Sequence, residues 1–227
     1  MKYSIILPYY KRPEILSPLL TSFVQWYEKR TDYEAVFILD LKNNSADRDM
    51  FFQNLEPFWN KIRLMVVDND LYTYNSCRAY NVGVKNCTGE FVVLTSPECK
   101  HKTNILSGLD ECFAMNRNSY VVCACESINP DGSFVQWYQH TQHNNRLLHF
   151  CSAISKFNYI TTVKGFDEDY IYGIAYEDDE WLARVKTSNI PLIARDDLLV
   201  SHIEHPRAYL TETLVDINRQ LYIKKRK

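Results

Sequence analysis

The chain has 227 residues, 46% of them hydrophobic and 24% charged, the make-up of a globular protein able to bury a sizeable core. Lys and Arg number 26 against 28 Asp and Glu, so no basic excess points to nucleic acid as a partner. Only 6 glycines are present, and none are spaced as GxGxxG or GxxxxGK[ST], which excludes both of those phosphate-binding loops.

In chain order, strand-type and helix-type segments alternate. Residues 3–7 are an apolar run ended by Pro8, which predicts a buried strand. Between Glu14 and Lys29, Leu16, Leu19, Leu20, Phe23, Val24 and Tyr27 fall at helical spacing, with Ser17-Pro18 as cap and first turn. Residues 35–39 form a second strand ending at Asp40, and Ser45 caps a helix through Asn54. A third strand over 62–67 ends in Asp68-Asn69-Asp70. A helix over 74–86 leads through a turn at 87–90 into a strand over 91–94.

Thr103 caps a helix to Met115, and 120–125 is a fifth strand. Asn129-Pro130-Asp131-Gly132 predicts a hairpin turn. A strand over 147–154 follows. Glu177 to Lys186 reads as a helix whose first residues are acids, favoured at that end by the helix dipole. Residues 191–203 read extended, and 209–223 close the chain as a helix. The β-α-β-α start implies a mainly parallel sheet flanked by helices, with a ligand beyond the carboxyl ends of the strands. Tyr9, Tyr10, Lys11, Arg12, Asp40, Asp68, Asp70, Ser96 and Glu98 stand at those ends.

No apolar run approaches the ~20 residues of a membrane-spanning helix, and no signal-peptide pattern opens the chain. The seven cysteines are odd in number and lack Cys-x-x-Cys, which reads as reduced thiols used as small core residues and as a cytoplasmic setting. The basic end Lys224-Lys225-Arg226-Lys227 is a solvated tail or a weak contact for an anionic membrane surface.

Five segments carry a family pattern. They are the opening strand and loop Ile5 to Pro13; Tyr74 to Gly83 followed by Thr88-Gly89-Glu90 and a strand; Ser96-Pro97-Glu98; Gly165-Phe166-Asp167-Glu168 with Tyr172-Gly173 and Tyr176 to Arg184; and Val200-Ser201-His202-Ile203. Their order resembles a GT-A-fold glycosyltransferase of family 2 type, near the β-1,4-galactosyltransferase and polypeptide GalNAc-transferase relatives. The resemblance implies the GT-A (nucleotide-diphospho-sugar transferase) α/β fold as one domain over residues 1–227. Residues 1–100 would bind the nucleotide sugar and 101–227 would hold the acceptor and the catalytic acids.

It also implies roles. The donor would be a nucleotide-diphosphate sugar, UDP first, and the acceptor a hydroxyl of a glycan, a lipid-linked molecule or a protein. Asp178 matches the position of the general base, with Glu177 and Asp179 binding acceptor hydroxyls or orienting it. Three adjacent acids repel one another, which raises the pKa of one of them. Pro8, Tyr9, Arg12, Asp40 and Arg78 would line the nucleotide pocket, and Asp68 and Asp70 would reach the ribose or the sugar. Mn²⁺ or Mg²⁺ would neutralise the leaving diphosphate, held by Glu98 and His202 with His205 as the fallback. Ser96-Pro97-Glu98 stands where the family has Asp-x-Asp, so one carboxylate is lost and the cation becomes weaker or dispensable. Ile174 replaces a sugar-stacking Trp, so acceptor identity does not carry over; Trp137 and Tyr138 on the hairpin are either a substitute platform or, as is commoner for hairpin aromatics, core. A non-catalytic nucleotide or glycan binding module remains the alternative from another class. A zinc hydrolase built on His140-x-x-His143 lacks any supporting motif.

Overall fold

The computed structural model describes residues 1–40, 45–69, 75–148, 150–206 and 211–226; of residues 40, 45 and 46 it describes the backbone alone. The expected element order is present: β1 (Tyr3–Tyr9), α1 (Pro13–Tyr27), β2 (Tyr33–Asp40), α2 (Ser45–Leu55), β3 (Leu64–Asn69), α3 (Cys77–Asn86) and β4 (Phe91–Thr95). There follow β5 (Cys99–His101), α4 (Ile105–Met115), β6 (Tyr120–Ile128), β7 (Phe134–Gln139), β8 (Cys151–Ser155), α5 (Glu177–Thr187), β9 (Leu192–Ile203) and α6 (Glu212–Lys225).

Among the described residues the strands form one sheet in the order β3-β2-β1-β4-β8-β6-β9-β5, with β7 paired to β6 outside that path. β3, β2, β1 and β4 are all parallel. β8 runs antiparallel to both β4 and β6, β9 is parallel to β6, and β5 is antiparallel to β9. The parallel strands read as continuous apolar runs because both sheet faces are covered. On one face Leu16, Leu20 and Phe23 of α1 and Leu109 and Phe113 of α4 join the core. On the other, Tyr80 of α3 and Trp181 and Val185 of α5 do so. From β1 the chain moves outward to β2 and β3, then returns through α3 to β4 on the other flank of β1. The strand order reverses between β1 and β4, which places the ligand crevice beyond the carboxyl ends of those two strands.

The Thr88-Gly89-Glu90 turn is tied to this frame by Glu34. Its buried carboxylate accepts from the Thr88 amide (2.6 Å), the Ser4 hydroxyl (2.7 Å) and the Thr88 hydroxyl (3.0 Å). A Cβ on Gly89 would lie 2.5 Å from the Ser4 backbone nitrogen, so that turn requires glycine.

Several boundaries differ from the expectations. α1 begins at Pro13, so Pro18 is interior; the apolar period marks a face, not a start. β1 runs through Pro8 to Tyr9, because its ladder to β4 stops at Ile6, before the proline. β8 starts only at Cys151, and Leu147 has a left-handed φ of 61°. β5 was not expected. The 129–132 hairpin turn is present, closed by the Gly132 amide on the Asn129 carbonyl (2.8 Å). All seven cysteines are buried free thiols. Among the described residues no helix is long and apolar enough to cross a membrane. In the basic tail, Lys225 pairs with Asp167 and Asp169 and Arg226 lies over the Tyr222 ring; Lys227 is outside the described residues.

Candidate active site

Three chain segments meet beside the β1/β4 crevice. The first is the turn after β1, where Lys11 takes a left-handed φ of 44° and the Arg12 amide donates to the Tyr9 hydroxyl (3.3 Å). The second is residues 96–98 after β4, closed by the Cys99 amide on the Ser96 carbonyl (3.0 Å). The third is the end of β9. β5 pairs with β9 so that Cys99 lies opposite His202, and the Ile203 amide donates to the Glu98 carbonyl (3.0 Å). Glu204 anchors this end by accepting hydrogen bonds from the hydroxyls of Ser127 and Tyr138.

The result is a cluster of Arg12, Glu98 and His205, whose side chains are 14%, 11% and 10% exposed. Nη1 of Arg12 forms an ion pair with the Glu98 carboxylate and also lies 2.9 Å from Nε2 of His205. Nδ1 of His205 lies 3.1 Å from the Pro206 carbonyl, an acceptor only. The tautomer assigned from these contacts donates from Nδ1 and presents a lone pair on Nε2 to Arg12. Burial pushes the Glu98 carboxyl up, but the Arg12 guanidinium and then His202 outweigh it and hold the group below the usual carboxylate range.

The donor set expected for a divalent cation therefore gathers, but around a guanidinium. The Glu98 oxygen and the His205 lone pair that would face a metal both face Arg12. Ser96 supplies a hydroxyl 3.3 Å from the Cys99 sulfur in place of a carboxylate. The His202 ring stands edge-on to Tyr138, 5.2 Å between centroids. Among the described residues no three His, Cys, Asp or Glu side chains are grouped to hold a metal ion. These residues do not fit a divalent cation.

A second group of expected site residues opens α5. Ala175 and Tyr176 both take left-handed φ values (65° and 69°), a sparsely populated state for side-chain-bearing residues. They turn the chain so that Glu177, Asp178, Asp179 and Glu180 form the first helical turn. Glu177 keeps some accessible surface, yet its Oε2 is shut off from water with no hydrogen-bond partner. Burial, and then the Asp178 charge, push its carboxyl up to about 8. Burial also raises Asp178, whose Oδ1 accepts from the Asp179 amide at 2.8 Å. Asp179 is raised by burial and by Asp178, and lies 3.4 Å from the Arg146 guanidinium. Glu180 instead fixes the helix: Arg184 grips it at 2.6 and 2.7 Å and donates to the carbonyls of Val163 and Gly165.

α5 is linked to α3 and to the end of β4. Burial and then the Glu177 charge raise the thiol of Cys77, the first residue of α3, so the acids bear on that helix N-terminus. Beneath them Trp181 stacks on Phe166 (4.6 Å) and Phe166 on Tyr80 (5.1 Å). The Tyr80 hydroxyl donates to the Thr95 carbonyl at the end of β4 (3.2 Å).

α6 holds the loop before the acids. Asn218, fully buried, donates to the carbonyls of Tyr170 (3.1 Å) and Ala175 (2.9 Å), and the Ile174 amide donates to the Leu214 carbonyl (3.0 Å). A Cβ on Gly173 would lie 2.6 Å from that carbonyl, so only glycine lets α6 approach this closely. Asn81 of α3 holds the loop's other end, accepting from the Phe166 amide (2.9 Å) and donating to its carbonyl (2.9 Å). The sequence reading passed over Asn81, Asn218, Arg146 and Glu204, single polar residues in otherwise ordinary segments.

The other expected site residues fall elsewhere around the crevice. Pro8 and Tyr9 end β1, and the buried Tyr9 ring packs on Phe51 at 4.6 Å. Asp68 is ion-paired with Arg48 at 2.7 Å. Arg78 donates to Glu168 (3.0 Å) and Asn69 (3.2 Å). The backbone of Asp40 ends β2, while its side chain and all of Asp70 lie outside the described residues. Of the two expected aromatics, Tyr138 faces the site, stacked on Phe150 (4.9 Å). Trp137 stacks on His143 (5.6 Å), with His140 4.5 Å away.

This sheet order, with the crevice at the reversal and an acid helix at its rim, defines the GT-A fold of nucleotide-sugar glycosyltransferases. No protein-family model matches the chain. A stretch of 98 residues, 43% of the chain, is 28% identical to the poly(ribitol-phosphate) β-N-acetylglucosaminyltransferase TarS of Staphylococcus aureus and covers only 16% of that protein. Residues 1–349 of S. aureus TarS, solved with UDP-GlcNAc, match over 99% of this chain and 66% of that one, with a TM-score of 0.72 and 18% identity. The mannosyltransferase PcManGT of Pyrobaculum calidifontis, solved with GDP-Man and Mn²⁺, matches with a TM-score of 0.68 and 16% identity over 92% of this chain and 58% of that one.

Proposed function

We propose that this chain is an inverting glycosyltransferase that moves a hexose or N-acetylhexosamine from a nucleotide-diphosphate sugar to an acceptor hydroxyl. UDP is the first choice of nucleotide, supported by the UDP-GlcNAc complex of the TarS neighbour. The acceptor is a glycan, a lipid-linked molecule or a protein. The observation that carries the reading is the pair of desolvated carboxylates, Glu177 and Asp178, opening α5 beside the α3 N-terminus in a GT-A frame.

In this reading Asp178 is the general base. The acceptor oxygen bonds to the anomeric carbon as the bond from that carbon to the β-phosphate oxygen breaks. The acceptor proton passes to Asp178, and the bonding electrons leave with the nucleoside diphosphate. Burial raises the pKa of Asp178, which makes its carboxylate a stronger base. Glu177, holding its proton to about pH 8, donates a hydrogen bond to a sugar or acceptor oxygen, and Asp179 orients the acceptor together with Arg146. The nucleotide lies over Pro8, Tyr9, Asp40, Asp68, Asp70, Arg78 and Ser96.

The loss of a carboxylate at Ser96 and the capture of Glu98 by Arg12 favour one second reading, a binding module without turnover. A panel of UDP-, GDP- and CMP-sugars separates the two. Catalysis predicts slow release of free sugar and nucleotide from one donor even without acceptor. Saturable binding with no release over days supports the module.

A further inference from the structure

We propose that the Arg12 guanidinium, fixed by Glu98 and His205, is the resident positive charge that meets the donor's diphosphate, so that this chain binds a nucleoside diphosphate without a divalent cation. The inference rests on the nucleotide-sugar reading above.

The placement is specific. Arg12 follows β1 and Glu98 follows β4, the two strands between which the strand order reverses and beyond whose ends a ligand sits. The Arg12 side chain is only 14% exposed, and its partners include two groups 86 and 193 residues away in sequence, Glu98 and His205. Its planar fork of five N–H donors matches phosphate oxygens in pairs. A guanidinium held in advance loses less freedom on binding than a mobile one.

The same contacts argue against a cation in that place. Ser96 leaves Glu98 as the one carboxylate of the 96–98 turn, and its charge is already matched by Arg12. A divalent ion approaching Glu98 would meet the guanidinium at close range, where like charges repel strongly in a partly buried site. It would also have to take the His205 Nε2 lone pair from the Arg12 N–H. Glu98 and His205 thus act as positioning residues for Arg12.

The test is calorimetric titration of UDP into the full chain, once in EDTA and once in excess Mn²⁺. The expected result is equal affinity in the two buffers. Arg12→Ala should weaken binding in EDTA by about tenfold or more, the loss of a charge-assisted contact, with Arg12→Lys in between. UDP binding seen only with Mn²⁺ overturns the inference and leaves the transferase reading standing, as does unchanged affinity in Arg12→Ala. Absence of binding by UDP, GDP and CMP in both buffers removes the transferase reading itself. Should Arg12→Ala fail to fold, the two-buffer comparison on the unaltered chain decides alone.

Discussion

Glu177 and Asp178 are adjacent in sequence, yet the fold surrounds them differently. Each carboxyl is raised by burial, but Glu177 loses one oxygen to a site without water or donor. In the unfolded chain Glu177 releases its proton near the ordinary value of 4.5; in the folded chain it keeps it to about 8. Between those values the unfolded state binds fewer protons, so stability falls as pH rises, by up to about 1.4 kcal/mol per pH unit. The melting temperature should therefore drop between pH 6 and 8, and Glu177→Gln should flatten that drop. Parallel slopes for the two proteins would contradict the assignment. The acid run itself was legible in the sequence because its members are neighbours. The Arg12–Glu98–His205 cluster was not, since its partners come from three distant segments and only strand pairing brings them together.

At the scale of elements, the acid helix depends on α6. Asn218 supplies the two donors that the Tyr170 and Ala175 carbonyls use, and the Ala175 bond holds the left-handed turn that starts α5. Asn218→Ala strands the Ala175 carbonyl, while the Tyr170 carbonyl keeps the Asn75 side-chain and Gly173 amide donors, a cost of about 1–3 kcal/mol. For a chain of this length each kcal/mol lowers the melting temperature by about 2–4 °C. Transfer should fall more than UDP affinity, because the loop holds the acids and the proposed nucleotide site is at the ends of β1 and β4. An equal loss of both would mean that α6 supports the whole molecule instead. The parallel strands and helix faces were readable from apolar periodicity, which reports burial. Helix starts and β5 were not: Pro13 and Pro18 offer competing starts for α1, and Cys99–His101 is too short to show alternation.

Taken whole, the described residues form one sheet with the Arg12–Glu98–His205 cluster at the β1/β4 reversal and an acid run at the head of α5, the Tyr80–Phe166–Trp181 stack linking α3 to α5. Fixed positive charge suits a leaving diphosphate, and a desolvated carboxylate suits an incoming hydroxyl. The alternation of strands and helices made this architecture legible, and the polar strand ends marked the crevice. The ion pair that joins Glu98 to Arg12 needed three dimensions. The division of labour is tested most directly by Asp178→Asn, an isosteric change that removes the base. UDP affinity by calorimetry should stay at the level of the unaltered chain while sugar release and transfer fall at least about a hundredfold, the lower end of what a positioned base contributes. Retained turnover in Asp178→Asn, or a parallel loss of UDP binding, would contradict the account.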